Sequence, residues 1–153
     1  MPILVHASAV ILGESGVLIR GVSGSGKSSL ALALIDAWSL RGEFATLVSD
    51  DRVACRNLNG RTLLSPHEIV AGLVEWRGLG LLPHPYELKG LLTLIVDLET
   101  NAMEAEFARL PEPGDLCCDF NGLKDLSRLR LPARQTYQSV STIMAFLHKH
   151  PTK

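Results

Sequence analysis

The sequence predicts an α/β fold organised around a glycine-rich loop, and three observations predict it. A short apolar run, Val17–Arg20, leads into Gly21-Val22-Ser23-Gly24-Ser25-Gly26-Lys27-Ser28, and helical spacing follows at once. Leu91–Leu98 is a nearly unbroken apolar run of strand length, the pattern of a strand covered on both faces. Gln135–His148 carries Val140, Ile143, Met144 and Leu147 on one face, as an amphipathic helix does. At 153 residues, with no internal repeat, low-complexity tract or linker, the chain reads as one domain spanning residues 1–153.

Taken in order, Ile3–Leu12 is rich in β-branched and aliphatic residues and runs into the turn signal Gly13-Glu14-Ser15-Gly16, so two strands flank a tight turn. Leu30, Leu34, Ala37 and Trp38 recur at helical spacing over Ser28–Leu40, with Gly42 placed as the helix stop. Phe44–Val48 is a compact strand that ends in Ser49-Asp50-Asp51. Val53–Asn57 and Arg61–Leu64 flank Asn59-Gly60, a two-residue hairpin signal. Ile69–Leu82 is apolar, but Gly72, Gly78 and Gly80 argue against one continuous helix, and Pro83 and Pro85 mark a loop. A short helix is expected over Asn101–Leu110, a loop over Pro111–Gly114 and a last strand over Leu126–Leu131.

Composition narrows the classes of partner. The chain is 46% hydrophobic and 20% charged, which reads as globular. Fifteen basic against sixteen acidic residues leave no basic stripe for a nucleic-acid backbone, so no nucleic-acid partner is expected. Cys55, Cys117 and Cys118 are odd in number and follow no metal-ligand spacing; reduced thiols in a cytoplasmic protein are the expectation. Residues 3–12 lack a basic leader and a small-residue cleavage site, and no stretch approaches the ~20 apolar residues of a membrane span.

The glycine-rich segment carries the chemistry. Gly21, Gly24 and Gly26 permit backbone angles closed to other residues, so successive N–H groups can point at phosphate oxygens, and the following helix adds its positive end. Lys27 would reach the β- and γ-phosphates and the Ser28 hydroxyl would ligate Mg²⁺. Asp50 and Asp51 close a strand where acidic side chains reach the metal or the attacking group; in regular strand geometry only one of them faces the phosphates. Trp38 and Trp76 read as packing residues, and His67, His84, His148 and His150 carry no pattern.

Gly21–Ser28, Leu47–Val53 and above all Val74-Glu75-Trp76-Arg77-Gly78-Leu79-Gly80 together resemble the catalytic domain of HPr kinase/phosphorylase. The likeness runs over roughly residues 4–147, and the chain looks like a short form without the N-terminal domain of longer members. It implies a fold of the HPr kinase/PEP carboxykinase-like type, with a central mixed sheet flanked by helices. It also implies ATP-dependent phosphorylation of a serine on the phosphocarrier HPr, with Mg²⁺, and the reverse phosphorolysis by inorganic phosphate. His6 matches a catalytic histidine, Lys27 and Ser28 the phosphate-binding lysine and the metal-ligating serine, and Asp51 the base. Glu75 matches the second metal ligand and Arg109 a catalytic arginine on the transferring phosphoryl group. Asp50, Arg77, Gly78 and Gly80 are supporting positions, and a homo-oligomer, hexameric by resemblance, is implied. Val22 stands where the family usually has Asp, and Leu131–Tyr137 follows the segment tied to phosphorolysis only loosely. Two other readings fit the loop itself: a small-molecule kinase, and a nucleotide sensor without chemistry.

Overall fold

A computed structural model describes residues 1–100 and 110–150. The helix expected over Asn101–Leu110 lies almost wholly outside them. Strand β1 (Ile3–Leu12) turns at Gly13 and returns as β2 (Ser15–Arg20), pairing antiparallel from Ala7↔Arg20 to Leu12↔Ser15. Helix α1 (Lys27–Leu40) buries Leu30, Ala31, Leu34, Ile35 and Trp38, the stripe that helical spacing sets against a core. It ends where Gly42, at φ 76°, donates its N–H to the Ser39 carbonyl at 2.9 Å.

β3 (Ala45–Ser49) and β4 (Arg52–Leu58) run one after the other along a single edge of β1. The pairing from Ile3↔Cys55 to His6↔Arg52 is resumed in the same register at Ala9↔Ser49, and the gap between holds Asp50 and Asp51. β4 pairs with β5 (Arg61–Pro66) through a turn whose central residues, Asn59 and Gly60, have φ of 50° and 79°, as a two-residue hairpin turn requires. A single 3-10 turn (Glu68–Val70) leads to β6 (Leu73–Trp76) and β7 (Gly80–Pro83), a two-stranded ribbon separate from the main sheet. The glycines that spoke against a helix over Ile69–Leu82 thus mark the turns of this ribbon.

β8 (Gly90–Glu99) is the hub of the main sheet. Its start pairs antiparallel with β5, while its remainder runs parallel to both β2 and β10 (Leu123–Pro132). Leu91, in the run read as covered on both faces, is exposed because it lies at that outer start. The sheet is therefore mixed and closes partly on itself, in the order β2-β1-β4-β5-β8-β10-β9 with β8 returning to β2. β9 (Cys117–Phe120) has no counterpart in the sequence-based reading, and β10 starts earlier than the strand expected from Leu126. Helix α2 (Thr136–Lys149) buries Ile143, Met144 and Leu147, as its pattern predicts.

Two apolar clusters lie on the two sides of β1, β2 and β8. One joins Leu30, Leu34 and Trp38 of α1 and Ile143 and Leu147 of α2 to Val10, Val17, Ile19, Leu94 and Val96. The other joins Ala7, Ala9, Leu18 and Ile95 to Val53, Cys55, Leu64 and Phe120 of the curled outer strands. Both described helices pack on the first side, and strands cover the second. β2, β8 and β10 end together, and the carboxyl ends of parallel strands are where α/β sheets place their ligands.

Candidate active site

The glycine-rich segment leaves the end of β2 and opens α1. Gly26 sits at the helix N-cap with φ 94°, a left-handed position that a side chain strains. Gly21 is required for a different reason from the one its motif suggests. A Cβ there would lie 2.5 Å from Ser25 Oγ, so the position is closed by contact and not by backbone angle. The Lys27 ammonium lies over the crest of the loop, donating to the carbonyls of Gly21 at 2.9 Å and Val22 at 3.0 Å. With two N–H groups so used, a third remains for an anion. Burial lowers the Lys27 pKa, and the nearby Asp51 and Asp50 oppose that shift.

Asp50 is 4% exposed, and its Oδ1 accepts from Ser8 Oγ at 2.6 Å and from Ser28 Oγ at 2.7 Å. This fixes the Ser28 rotor: its proton goes to Asp50 and its oxygen lone pairs are left for a cation. Asp51 is exposed and bonded to His6 Nε2 at 2.9 Å. Regular alternation would send the two carboxylates to opposite sides, but β3 has ended at Ser49 and Asp51 adopts φ 69°. That left-handed residue breaks the alternation, and Asp51 lines the cavity beside the loop while Asp50 meets it through Ser28.

The cavity has a volume of about 610 Å³, within the usual range for small-molecule sites, and His6, Lys27, Asp51, Glu75, Arg77 and Arg134 are among its walls. Ser23, Gly24, Gly26 and Ser28 of the loop line it too, whereas Val22 is exposed and Ser25 is buried beneath the crest. Glu75 is the next-to-last residue of β6, and Arg77 at the ribbon tip reaches over the loop, its Nη2 3.7 Å from where a Gly24 Cβ would be. Gly78 and Gly80 have φ of 85° and 114° and open space around them, so they serve the turn. Arg109 lies outside the described residues.

Two wall residues were missed as site residues by the sequence reading. Arg134, at φ 58°, donates its backbone N–H to Ser25 O at 3.1 Å and Nη1 to Gly24 O at 3.4 Å, which seats a guanidinium at the crest of the loop. No local pattern marks it, because β10 brings it there from the far end of the chain. Trp76 was read as packing, yet it is 41% exposed on the cavity wall, whereas Trp38 is buried as expected.

The donor set suits a hard divalent cation. Ser28 Oγ, the carboxylate of Asp50 behind it and Glu75 on the wall offer oxygen ligands only, and Mg²⁺ takes one or two such groups plus phosphate oxygens and water. Among the described residues no cluster of three or more His, Cys, Asp or Glu side chains forms a metal cage.

The family model described as HPr Serine kinase C-terminal domain matches residues 2–150. The chain belongs to that family. An HPr kinase/phosphorylase from Clostridium tetani is 33% identical over 132 residues, which cover 85% of this chain and 40% of that protein. One from Geobacillus thermodenitrificans is 37% identical over 119 residues, covering 69% of this chain and 35% of the relative. The chain thus spans well under half the length of either. The solved Hpr(Ser) kinase/phosphatase from Coxiella burnetii superposes with a TM-score of 0.74 at 23% identity, covering 97% of this chain and 90% of that one. That superposition establishes the α/β fold with its central mixed sheet as the family's own.

Proposed function

We propose that this chain, as one catalytic domain over residues 1–153, transfers the γ-phosphoryl group of ATP to a serine of the phosphocarrier HPr. The same site then runs phosphorolysis of the phosphoserine by inorganic phosphate. The observation that carries this reading is the convergence of Lys27, Ser28 and the His6–Asp51 pair on one cavity, in a chain that belongs to the HPr serine kinase family.

The loop amides and Lys27 hold the β- and γ-phosphates, and Arg77, Arg134 and Arg109 supply cationic charge around the transferring group. Asp51 accepts the proton of the serine hydroxyl as its oxygen bonds to the γ-phosphorus and the bond to the β-phosphate oxygen breaks, releasing ADP. His6, bonded to Asp51 Oδ1, orients that carboxylate and shares its charge. In phosphorolysis an oxygen of inorganic phosphate bonds to the phosphoserine phosphorus as the serine Oγ–P bond breaks; Asp51 returns the proton to the departing serine oxygen, and pyrophosphate is the product. Ser28 and Glu75 would hold Mg²⁺, which would supply positive charge to offset that of the phosphates.

A homo-oligomer, hexameric by resemblance, fits the apolar side chains left exposed around the ribbon, including Ile69, Leu79, Leu81 and Leu88. A cytoplasmic location goes with this substrate; among the described residues no helix is long and apolar enough to cross a membrane.

The test is to incubate the protein with HPr, Mg²⁺ and γ-labelled ATP, and then add excess inorganic phosphate. Label should enter HPr on a serine and leave it as pyrophosphate. ATP consumption without labelled HPr would point to another acceptor.

A further inference from the structure

The loop, Lys27, Arg77 and Arg134 line one end of the cavity. From the loop the cavity continues along the outer side of α1, past Ser29, Leu32, Ala33 and Asp36. These positions are spaced i, i+3, i+4 and i+7, so they form one stripe on the side of α1 opposite the one it buries, with Leu32 at its edge half-buried against the core cluster. The stripe is about 10 Å long at 1.5 Å per residue, enough to lead from a phosphate at the helix N-terminus to the far end of a nucleotide. Its middle, Leu32 and Ala33, is apolar, which suits no part of a polyphosphate.

Trp76 forms the wall on the ribbon side. Its cross-strand partner in the ribbon is Gly80, which offers no side chain, so the indole has nothing to pack against at the position where strands usually pair side chains. An indole left 41% exposed beside a cavity, with an apolar helix stripe on the same cavity, makes a slot for a flat aromatic group.

We infer that Trp76 is the base-binding residue of this site: its indole stacks on the purine of the bound nucleotide, with Leu32 and Ala33 of α1 as the opposite wall. Stacking reads the π-face, not the hydrogen-bonding edge, so the slot selects a purine nucleoside triphosphate over a bare polyphosphate. This rests on the P-loop holding nucleotide phosphates, as proposed above.

The test uses the full chain and compares ATP with tripolyphosphate, which has the same number of phosphates and no base. Affinities are measured by calorimetry, and tryptophan emission is followed in a Trp38→Phe background so that it reports Trp76 alone. ATP should change the Trp76 emission and tripolyphosphate should not. Trp76→Ala should weaken ATP about 5- to 100-fold and leave tripolyphosphate within about twofold, and Trp76→Phe should restore most of the loss. Equal losses for both ligands, or no loss for either, would overturn the assignment. So would a Trp76→Ala variant whose only defect is a raised KM for HPr, because Trp76 would then contact the acceptor protein. Failure of the underlying reading looks different: the unaltered protein would bind neither ATP nor tripolyphosphate.

Discussion

At the scale of single residues, two carboxylates that stand next to each other in the chain have different surroundings. Asp50 is buried on two hydroxyls and Asp51 is exposed on His6. Asp51→Asn should lower phosphoryl transfer about 10²–10⁴-fold with ATP affinity retained, as loss of a general base does. Asp50→Asn should instead cost about 1–3 kcal/mol of stability in urea melts, since Ser8 and Ser28 lose a charged acceptor. Transfer removed by Asp50→Asn and spared by Asp51→Asn would reverse this assignment. Lys27 adds a pH dependence of opposite sign for folding and for binding. Its folded pKa lies below the ordinary 10.5, chiefly through burial, so the unfolded chain holds the proton more tightly. Between the two values the unfolded state carries more protons, and this residue's contribution to stability rises with pH. Over the same window Lys27 becomes neutral in the folded protein, so ATP affinity should fall with rising pH; calorimetric titrations across the alkaline range measure both limbs.

At the scale of elements, what was legible followed from local chemistry. The β1–β2 hairpin, α1 and α2 announce themselves by turn residues and by period, and the structure places them with boundaries that shift by a few residues at most. The β9–β10 hairpin was legible but overlooked: Asn121 and Gly122 have φ of 49° and 82°, the same pairing of residues that marked the Asn59–Gly60 turn. Other links are not local and could not be read. Asp97 on β8 receives Arg20 of β2 through two hydrogen bonds, at 2.7 and 2.9 Å, and Arg128 of β10 at 3.6 Å. Arg20 immediately precedes the loop, so this carboxylate ties the root of the P-loop to the central strands. Asp97→Asn should destabilise the protein by about 1–3 kcal/mol, because it leaves two part-buried guanidinium groups without their charged acceptor. Chemical denaturation measures it, and an unchanged midpoint would show that solvent replaces the carboxylate.

At the scale of the whole molecule, the fold class followed from the loop and its flanks, but the way the sheet closes did not. That closure depends on β8 pairing with β5, β2 and β10, contacts far apart in the chain that no periodicity encodes. The end of β10 delivers Arg134 to the loop crest and the separate β6–β7 ribbon brings Glu75 to the cavity, placements no local pattern marks, which is why Glu75 needed a family resemblance to be singled out and Arg134 was missed. The two apolar clusters make the interior sensitive to packing on either side of the sheet. Cys55 lies in the second, its thiol pushed up to about 11 by burial, so alkylation near neutral pH should spare it and modify the part-exposed Cys117. Mass spectrometry of the labelled protein checks this, and rapid labelling of Cys55 would mean that the outer strands open readily.

A single-turnover experiment tests phosphoryl transfer through Asp51 most directly: excess protein is mixed with γ-labelled ATP, Mg²⁺ and HPr, and phosphoserine is followed with the protein as it exists and with Asp51→Asn. The unaltered chain should label HPr in one exponential phase, and Asp51→Asn should bind the nucleotide yet form almost no phosphoserine. An Asp51→Asn protein that labels HPr as fast as the original, or an original that binds ATP and never labels HPr, would contradict it.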